Sequence, residues 1–173
     1  VYKRQQRDLQ ATVKSQGNVV PRTASTLVAQ VPGKVTSVSP AFAAGGFFER
    51  GAVLLQIDAR DYELSVTSAE AQVSQAALRL ELQEQEAEVA RQEWQKIGSG
   101  EPSALVLKKP QIAEARAGLE AARANLERAK LSLERTKVRA PYAGRVRQKL
   151  ADVGQYLNPG SPVAAIYAVD FAE

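Results

Sequence analysis

The 173-residue chain is predicted to be α+β: one small β domain with an antiparallel helical hairpin inserted in its middle. Two observations predict this. Two similar, glycine-punctuated β-like segments lie toward the ends of the chain, and the stretch between them switches to a helical period. The first segment, residues 28–58, opens VAQVPGKVTSV and closes AGGFFERGAVLLQID. The second, residues 138–170, reads VRAPYAGRVRQKLADVGQYLNPGSPVAAIYAVD. Aligned, Gly33-Lys34-Val35 falls on Gly144-Arg145-Val146, Gly46 on Gly154, Gly51 on Gly160 and Ile57 on Ile166. Such a shape suits reaching and docking better than catalysis.

The elements follow in order. Residues 9–20, LQATVKSQGNVV, alternate loosely and lie outside the repeat. They read as a strand of an incomplete neighbouring domain, placed at 9–25. The first half-motif occupies 26–59, with β-like runs at 26–31 and 34–38, turns at Gly45-Gly46 and Gly51, and an apolar strand at 53–57. Asp58, with Asp61 three residues on, resembles a capping box at a helix start. From there the a positions are Val66, Val73, Leu80, Ala87 and Trp94, and the d positions Ala69, Ala76, Gln83, Ala90 and Ile97. All but Gln83 are apolar, a strong heptad signal. Gly98 and Gly100 end this helix, and residues 98–109 form a tip.

Pro110 suits the first turn of a second helix. Its seam is Ile112, Ala115, Leu119, Ala122, Leu126, Ala129, Leu133 and Thr136, large residues alternating with Ala so that the helices approach closely. At 1.5 Å per residue the helices span roughly 55 and 40 Å. The hairpin takes residues 60–137, Pro141 stops further helix, and the second half-motif takes 138–170. The outward Ala113, Ala117, Ala121 and Ala124 suggest packing of several hairpins side by side, although Ala is also simply a good helix former.

Composition narrows function. Cysteine, histidine and methionine are absent, which removes thiol nucleophiles, histidine-based triads and soft-metal sites from this segment. The net charge of +4 is spread among Glu and Gln along the helices, a solvated face rather than a basic patch. Nucleic acid is therefore not an expected partner. No catalytic, cofactor-binding or metal-binding residue is expected, and the carboxylates Asp58, Asp61, Glu81, Glu84, Glu86 and Glu88 read as caps and helix surface. No run of 18 or more apolar residues exists, so no segment here is expected to span a bilayer, and no signal peptide is visible. The chain reads as a piece of a longer protein.

Paired half-motifs with glycine before each tight turn resemble biotinyl/lipoyl-type β-sandwiches. Gly33, Gly46, Gly51, Gly144, Gly154 and Gly160 are the expected turn glycines, where positive φ is permitted, with Pro141 beside them. In carrier domains a tight turn between the halves displays a modified Lys. Here the hairpin occupies that place, so the carrier reading lacks its attachment site. A lipoyl-like sandwich split by a hairpin resembles the periplasmic adaptor, or membrane fusion protein, family. The strongest match is the hairpin exit Leu133-Glu134-Arg135-Thr136-Lys137-Val138-Arg139-Ala140-Pro141-Tyr142-Ala143-Gly144-Arg145-Val146, against the family's L-x-x-T-x-I/V-x-A/S-P-x-x-G-x-I/V. V-P-G-K-V at 31–35 and I-D-A-R-D-Y at 57–62 fit as well. The likeness covers about residues 9–170.

The hairpin length resembles the resistance–nodulation–division (RND) efflux type, within what is also called the HlyD family. Type I secretion and major-facilitator export adaptors are the alternatives. The resemblance implies a periplasmic protein of a Gram-negative cell, tethered to the inner membrane through a segment outside this chain. It implies a ring, expected to be a hexamer, joining an inner-membrane transporter to an outer-membrane channel. A β-barrel and a membrane-proximal domain would follow Glu173, and residues 9–20 would be the barrel's first strand. One feature departs from the family. Efflux adaptors often carry R-L/Y-x-x-L-x6-S near the tip, whereas Arg91 here is followed by Trp94 and Ile97 at +3 and +6, and the tip GSGEPSALVLKK is longer. The expected channel-contact residues are Arg91, Ile97, Ser103, Leu105, Val106 and Leu107. Arg91 reads equally as a solvated helix residue, and Trp94 as a seam residue. The trio Leu105–Leu107 reads as a contact patch or as a fold-back onto the hairpin.

Overall fold

A computed structural model describes residues 21–97 and 100–169, with Lys14 and Gln16. The element order is β1 (Ala24–Val28), β2 (Gly33–Val38), β3 (Phe47–Phe48), β4 (Val53–Ile57), α1 (Arg60–Ile97), α2 (Lys109–Glu134), β5 (Lys137–Arg139), β6 (Gly144–Lys149), β7 (Tyr156–Leu157) and β8 (Pro162–Ala168). The expected barrel strand at 9–20 lies almost wholly outside the described residues.

The strands form two antiparallel four-stranded sheets, ordered β1-β8-β6-β3 and β5-β4-β2-β7. Each sheet takes two strands from each half-motif, so neither half closes a sheet by itself. The repeat appears as matched backbone bonds. Val35 N donates to Gln155 O (2.8 Å) and its carbonyl accepts from Gly154 N (2.9 Å); Val146 N donates to Gly46 O (3.0 Å) and its carbonyl accepts from Gly45 N (2.7 Å). Gly160 N donates to Ala29 O (2.8 Å) and Ala29 N to Ser161 O (2.9 Å), just as Gly51 N donates to Ala140 O (2.8 Å) and Ala140 N to Ala52 O (2.9 Å). The core repeats likewise: Val35, Phe48, Leu54 and Ile57 correspond to Val146, Leu157, Val163 and Ile166, all buried, with Phe42 and Leu55 alongside.

These bonds correct the alignment of Gly46 with Gly154. The counterpart of Gly154 is Gly45, and these two share a left-handed φ of 89° and 80°. Gly46 and Gly144 are absent from the positive-φ residues and are glycine for another reason. A Cβ on Gly46 would lie 2.2 Å from Ala41 O, and one on Gly144 2.2 Å from Tyr167 O. Gly33, Gly51 and Gly160 do have positive φ.

Ile166 is 1% exposed at the centre of this core. Ile166→Ala is expected to cost about 2–5 kcal/mol, the usual range for such a truncation, read as a lowered urea midpoint with little change in its slope.

The hairpin leaves from adjacent strands. Ile57 N donates to Thr136 O (2.8 Å) at its base, and Thr136, fully buried, turns its Oγ1 onto Leu133 O (2.7 Å). This bond pair ends α2 at Glu134, so Lys137, the expected end of the hairpin, is already in β5.

Candidate docking site: the hairpin and its tip

Burial follows the heptad. On α1, Ala69 and Ala87 are buried, and Val66, Val73, Ala76, Leu80, Gln83, Ala90 and Trp94 half-buried. On α2, Ala115, Leu119 and Ala122 are buried, and Ile112, Leu126, Ala129 and Leu133 half-buried. Nearly every other position on both helices is exposed, as a two-helix contact that buries one stripe per helix requires. Arg79 pairs with Glu114 (2.9 Å) and Arg116 with Glu84 (3.3 Å) across the seam. Both pairs are largely exposed and so fix register more than stability.

The hairpin's root is fixed at its first turn. Tyr62 OH donates to Pro32 O (2.7 Å). Asp58 Oδ1 accepts from Arg60 N (3.2 Å), and its carboxylate also holds the Arg60 guanidinium in a two-pronged pair. The reciprocal arm expected from Asp61 is not formed, because the shorter Asp side chain replaces the Glu or Gln of a capping box. The side-chain bonds from Arg60, then the backbone bond, lower the Asp58 pKa to about 2. A folded-state pKa below the unfolded value stabilises the fold above the unfolded pKa and is lost as pH falls through the folded one. The unfolding midpoint is therefore expected to fall between about pH 4 and pH 2, and Asp58→Asn to flatten that limb in an acid titration followed by circular dichroism.

At the other end α1 outreaches α2, with 38 residues against 26, a difference of roughly 18 Å at 1.5 Å per residue. Among the described residues, a hydrogen-bonded turn over 103–109 lies between the two helices. Ser103 Oγ accepts from Val106 N (3.3 Å), and Leu107 N donates to Ser103 O (3.1 Å). Lys109 N bonds Ala104 O and Lys108 N bonds Leu105 O, both at 3.0 Å. This is a Schellman closure, with Lys108 in the left-handed conformation (φ 49°, ψ 27°) immediately before α2. Two bonds tie the tip to α1: Trp94 Nε1 donates to Gly100 O (3.1 Å), and Lys108 Nζ, at the end of the turn, donates to Glu86, holding that carboxyl below its usual pKa.

The expected contact residues therefore divide. Leu105 stands 71% exposed on the turn, whereas Val106 and Leu107 are half-buried. Ser103 uses its hydroxyl as a cap. Arg91 is on the helix surface, paired with Glu88 at 3.0 Å. The Ile97 side chain lies outside the described positions. Trp94, Glu86 and Lys108 shape the tip, and only Trp94 was marked by the periodicity, as a seam residue. Among the described residues no three metal-ligating side chains come together, and no helix is long and apolar enough to cross a membrane.

A β-sandwich interlocked from two half-motifs and opened by a coiled-coil hairpin is the architecture of membrane fusion proteins. The RND membrane fusion protein barrel-sandwich hybrid domain matches residues 23–169, and the chain belongs to that family. It is 28% identical over 153 residues to "Multidrug resistance protein MdtA" of Yersinia pestis (strain Pestoides F), covering 87% of this chain and 34% of that protein. The chain thus spans about a third of the length of the curated relatives it matches. Two solved structures share the fold. One is a MacA-MexA chimeric protein containing the Pseudomonas aeruginosa MexA α-hairpin domain (TM-score 0.66, 22% identity, 87% of this chain and 50% of that one). The other is a putative efflux transporter from Bacteroides eggerthii DSM 20697 (TM-score 0.64, 16% identity, 92% and 48%).

Proposed function

We propose that this chain is the sandwich-and-hairpin portion of a periplasmic adaptor in a tripartite multidrug efflux pump. In this reading it links an inner-membrane RND transporter to an outer-membrane channel. The full protein is tethered to the inner membrane and assembles as a ring, expected to be hexameric. The role is mechanical, and no residue performs bond chemistry. One observation carries the reading: a hairpin rooted in the sandwich presents the large apolar side chain of Leu105, 71% exposed, on a hydrogen-bonded turn at its far end. The likeness to MdtA supports drug efflux as the process. The domain's membership of the RND class favours that transporter type over type I secretion or major-facilitator exporters.

Purification of the full-length protein from gently solubilised membranes tests the transporter assignment. An RND transporter is expected to be retained with it. Retention of an ATP-driven or major-facilitator exporter instead would overturn that assignment.

A further inference from the structure

The sandwich has an open side beside the root of the hairpin. β1 is the outer strand of one sheet and β5 the outer strand of the other. A groove of about 340 Å³ lies between them and the foot of α2. Its apolar wall is Leu27, Val28, Leu131 and Val138, with Val28 and Leu131 44% and 45% exposed. Its charged wall sets Arg135, Lys137 and Arg139 against a lone carboxylate, Glu134. None of these charged groups forms an ion pair among the described residues, although Arg139 Nη1 donates to Gly51 O (3.0 Å).

Only one side of the β5 backbone is paired. Thr136 O accepts from Ile57 N (2.8 Å), Ala140 N donates to Ala52 O (2.9 Å), and Val138 pairs with Leu55 between them. Bonding direction alternates along an antiparallel strand. The N–H and C=O of Lys137 and Arg139 therefore point away from β4, toward the groove. No strand among those described pairs with that side. Side chains alternate too: Val138 is buried, whereas Lys137 and Arg139 are exposed on the outer face. Pro141, which has no N–H, ends the free edge.

We infer that this edge is a binding site for an extended acidic segment of another protein, added to β5 as a further antiparallel strand. In such an addition the main chain supplies affinity and alternate side chains supply specificity. Residues directly opposite Lys137 and Arg139 exchange backbone bonds with them and share their face, so carboxylates there meet both cations. The residue between is opposite Val138 and turns toward Leu27, Val28 and Leu131, which favours an apolar side chain. Residues 1–20 of the chain itself carry Lys3, Arg4, Arg7 and Lys14 against Asp8 alone, the wrong sign for this edge. Lysine on a free edge also guards against pairing with neutral strands; here the guarding residues are also the selecting ones. The site lies at the root of the hairpin, at the opposite end from Leu105, and does not depend on channel docking.

The test titrates the full-length protein with fluorescently labelled acetyl-Val-Glu-Val-Glu-Val-amide. Binding is followed by anisotropy and by hydrogen exchange resolved to single amides. Saturable binding is expected, with the Lys137 and Arg139 amides slowed and the Val138 amide, which faces β4, unchanged. N-methylation of both glutamates removes the N–H groups facing β5 and is expected to weaken binding roughly tenfold or more. N-methylation of the central valine is expected to leave binding intact. Acetyl-Val-Lys-Val-Lys-Val-amide is expected not to bind the wild type, but to bind the double variant Lys137→Glu, Arg139→Glu. Absence of saturable binding by the glutamate peptide would overturn the inference and leave the two cations as edge guards. Binding without slowed exchange, or with the same loss from N-methylation at either place, would overturn strand addition. Slow exchange at Lys137 and Arg139 before peptide is added would show that the protein's own segments or a neighbouring copy cover the edge, and would overturn it as well.

Discussion

Leu105→Asp is expected to abolish complementation of drug resistance while leaving the protein's abundance and circular dichroism unchanged. Leu105 is the most exposed large apolar residue among those described, and it sits on a turn closed by four bonds of its own. The side chain makes little contribution to the fold, so its replacement has little to destabilise. A central apolar anchor of an interface typically costs about 2 kcal/mol or more when lost, a weakening of roughly thirtyfold. A buried carboxylate adds its own desolvation cost. Leu105→Ala should fall between wild type and Leu105→Asp. If Leu105→Asp retains full resistance, the tip does not dock through this residue.

Gly144→Ala is the other large effect, and it acts on the fold. Gly144 is the first residue of β6 and lies against β8, where a Cβ would come within 2.2 Å of Tyr167 O and 3.0 Å of its carbonyl carbon. Both are backbone atoms held in the sheet, so no rotamer change relieves the clash and the strands must separate. Overpacking usually costs about 1–3 kcal/mol, and the rigid backbone neighbour sets the expectation at or above the top of that range. Gly118→Ala is the matched control. Gly118 lies inside α2 with nothing within 4 Å of an added Cβ, so the substitution should stabilise by up to about 1 kcal/mol through helix propensity. Thermal unfolding of the two variants should therefore shift in opposite directions.

How far the sequence could be read depended on the range of the interactions involved. The hairpin seam repeats every seven residues, and burial follows the same positions, from Val66 and Ala69 up to Trp94. The half-motif repeat was visible through glycine spacing. Its register slipped by one residue at Gly46, because Gly45 and Gly46 are adjacent and only their backbone geometry shows which one is left-handed. The tip was the least legible. Its order comes from Ser103 capping one turn, from Lys108 where a Schellman closure usually has Gly, and from the Trp94 indole reaching Gly100. These are single local events with no period to reveal them. Nor does the sequence distinguish Leu105 from Val106 and Leu107, since their exposure depends on which way that one turn faces.

The central claim is that the hairpin tip meets an outer-membrane channel, and a photoreactive residue at Leu105 tests it most directly. It would be introduced into the full-length protein in a Gram-negative cell, with Glu84 on the mid-helix as control. The expected product is a crosslink from position 105 to an outer-membrane channel protein, absent or much weaker from position 84. Labelling of cytoplasmic proteins alone from position 105, or failure of the protein to reach the periplasm, would contradict the account.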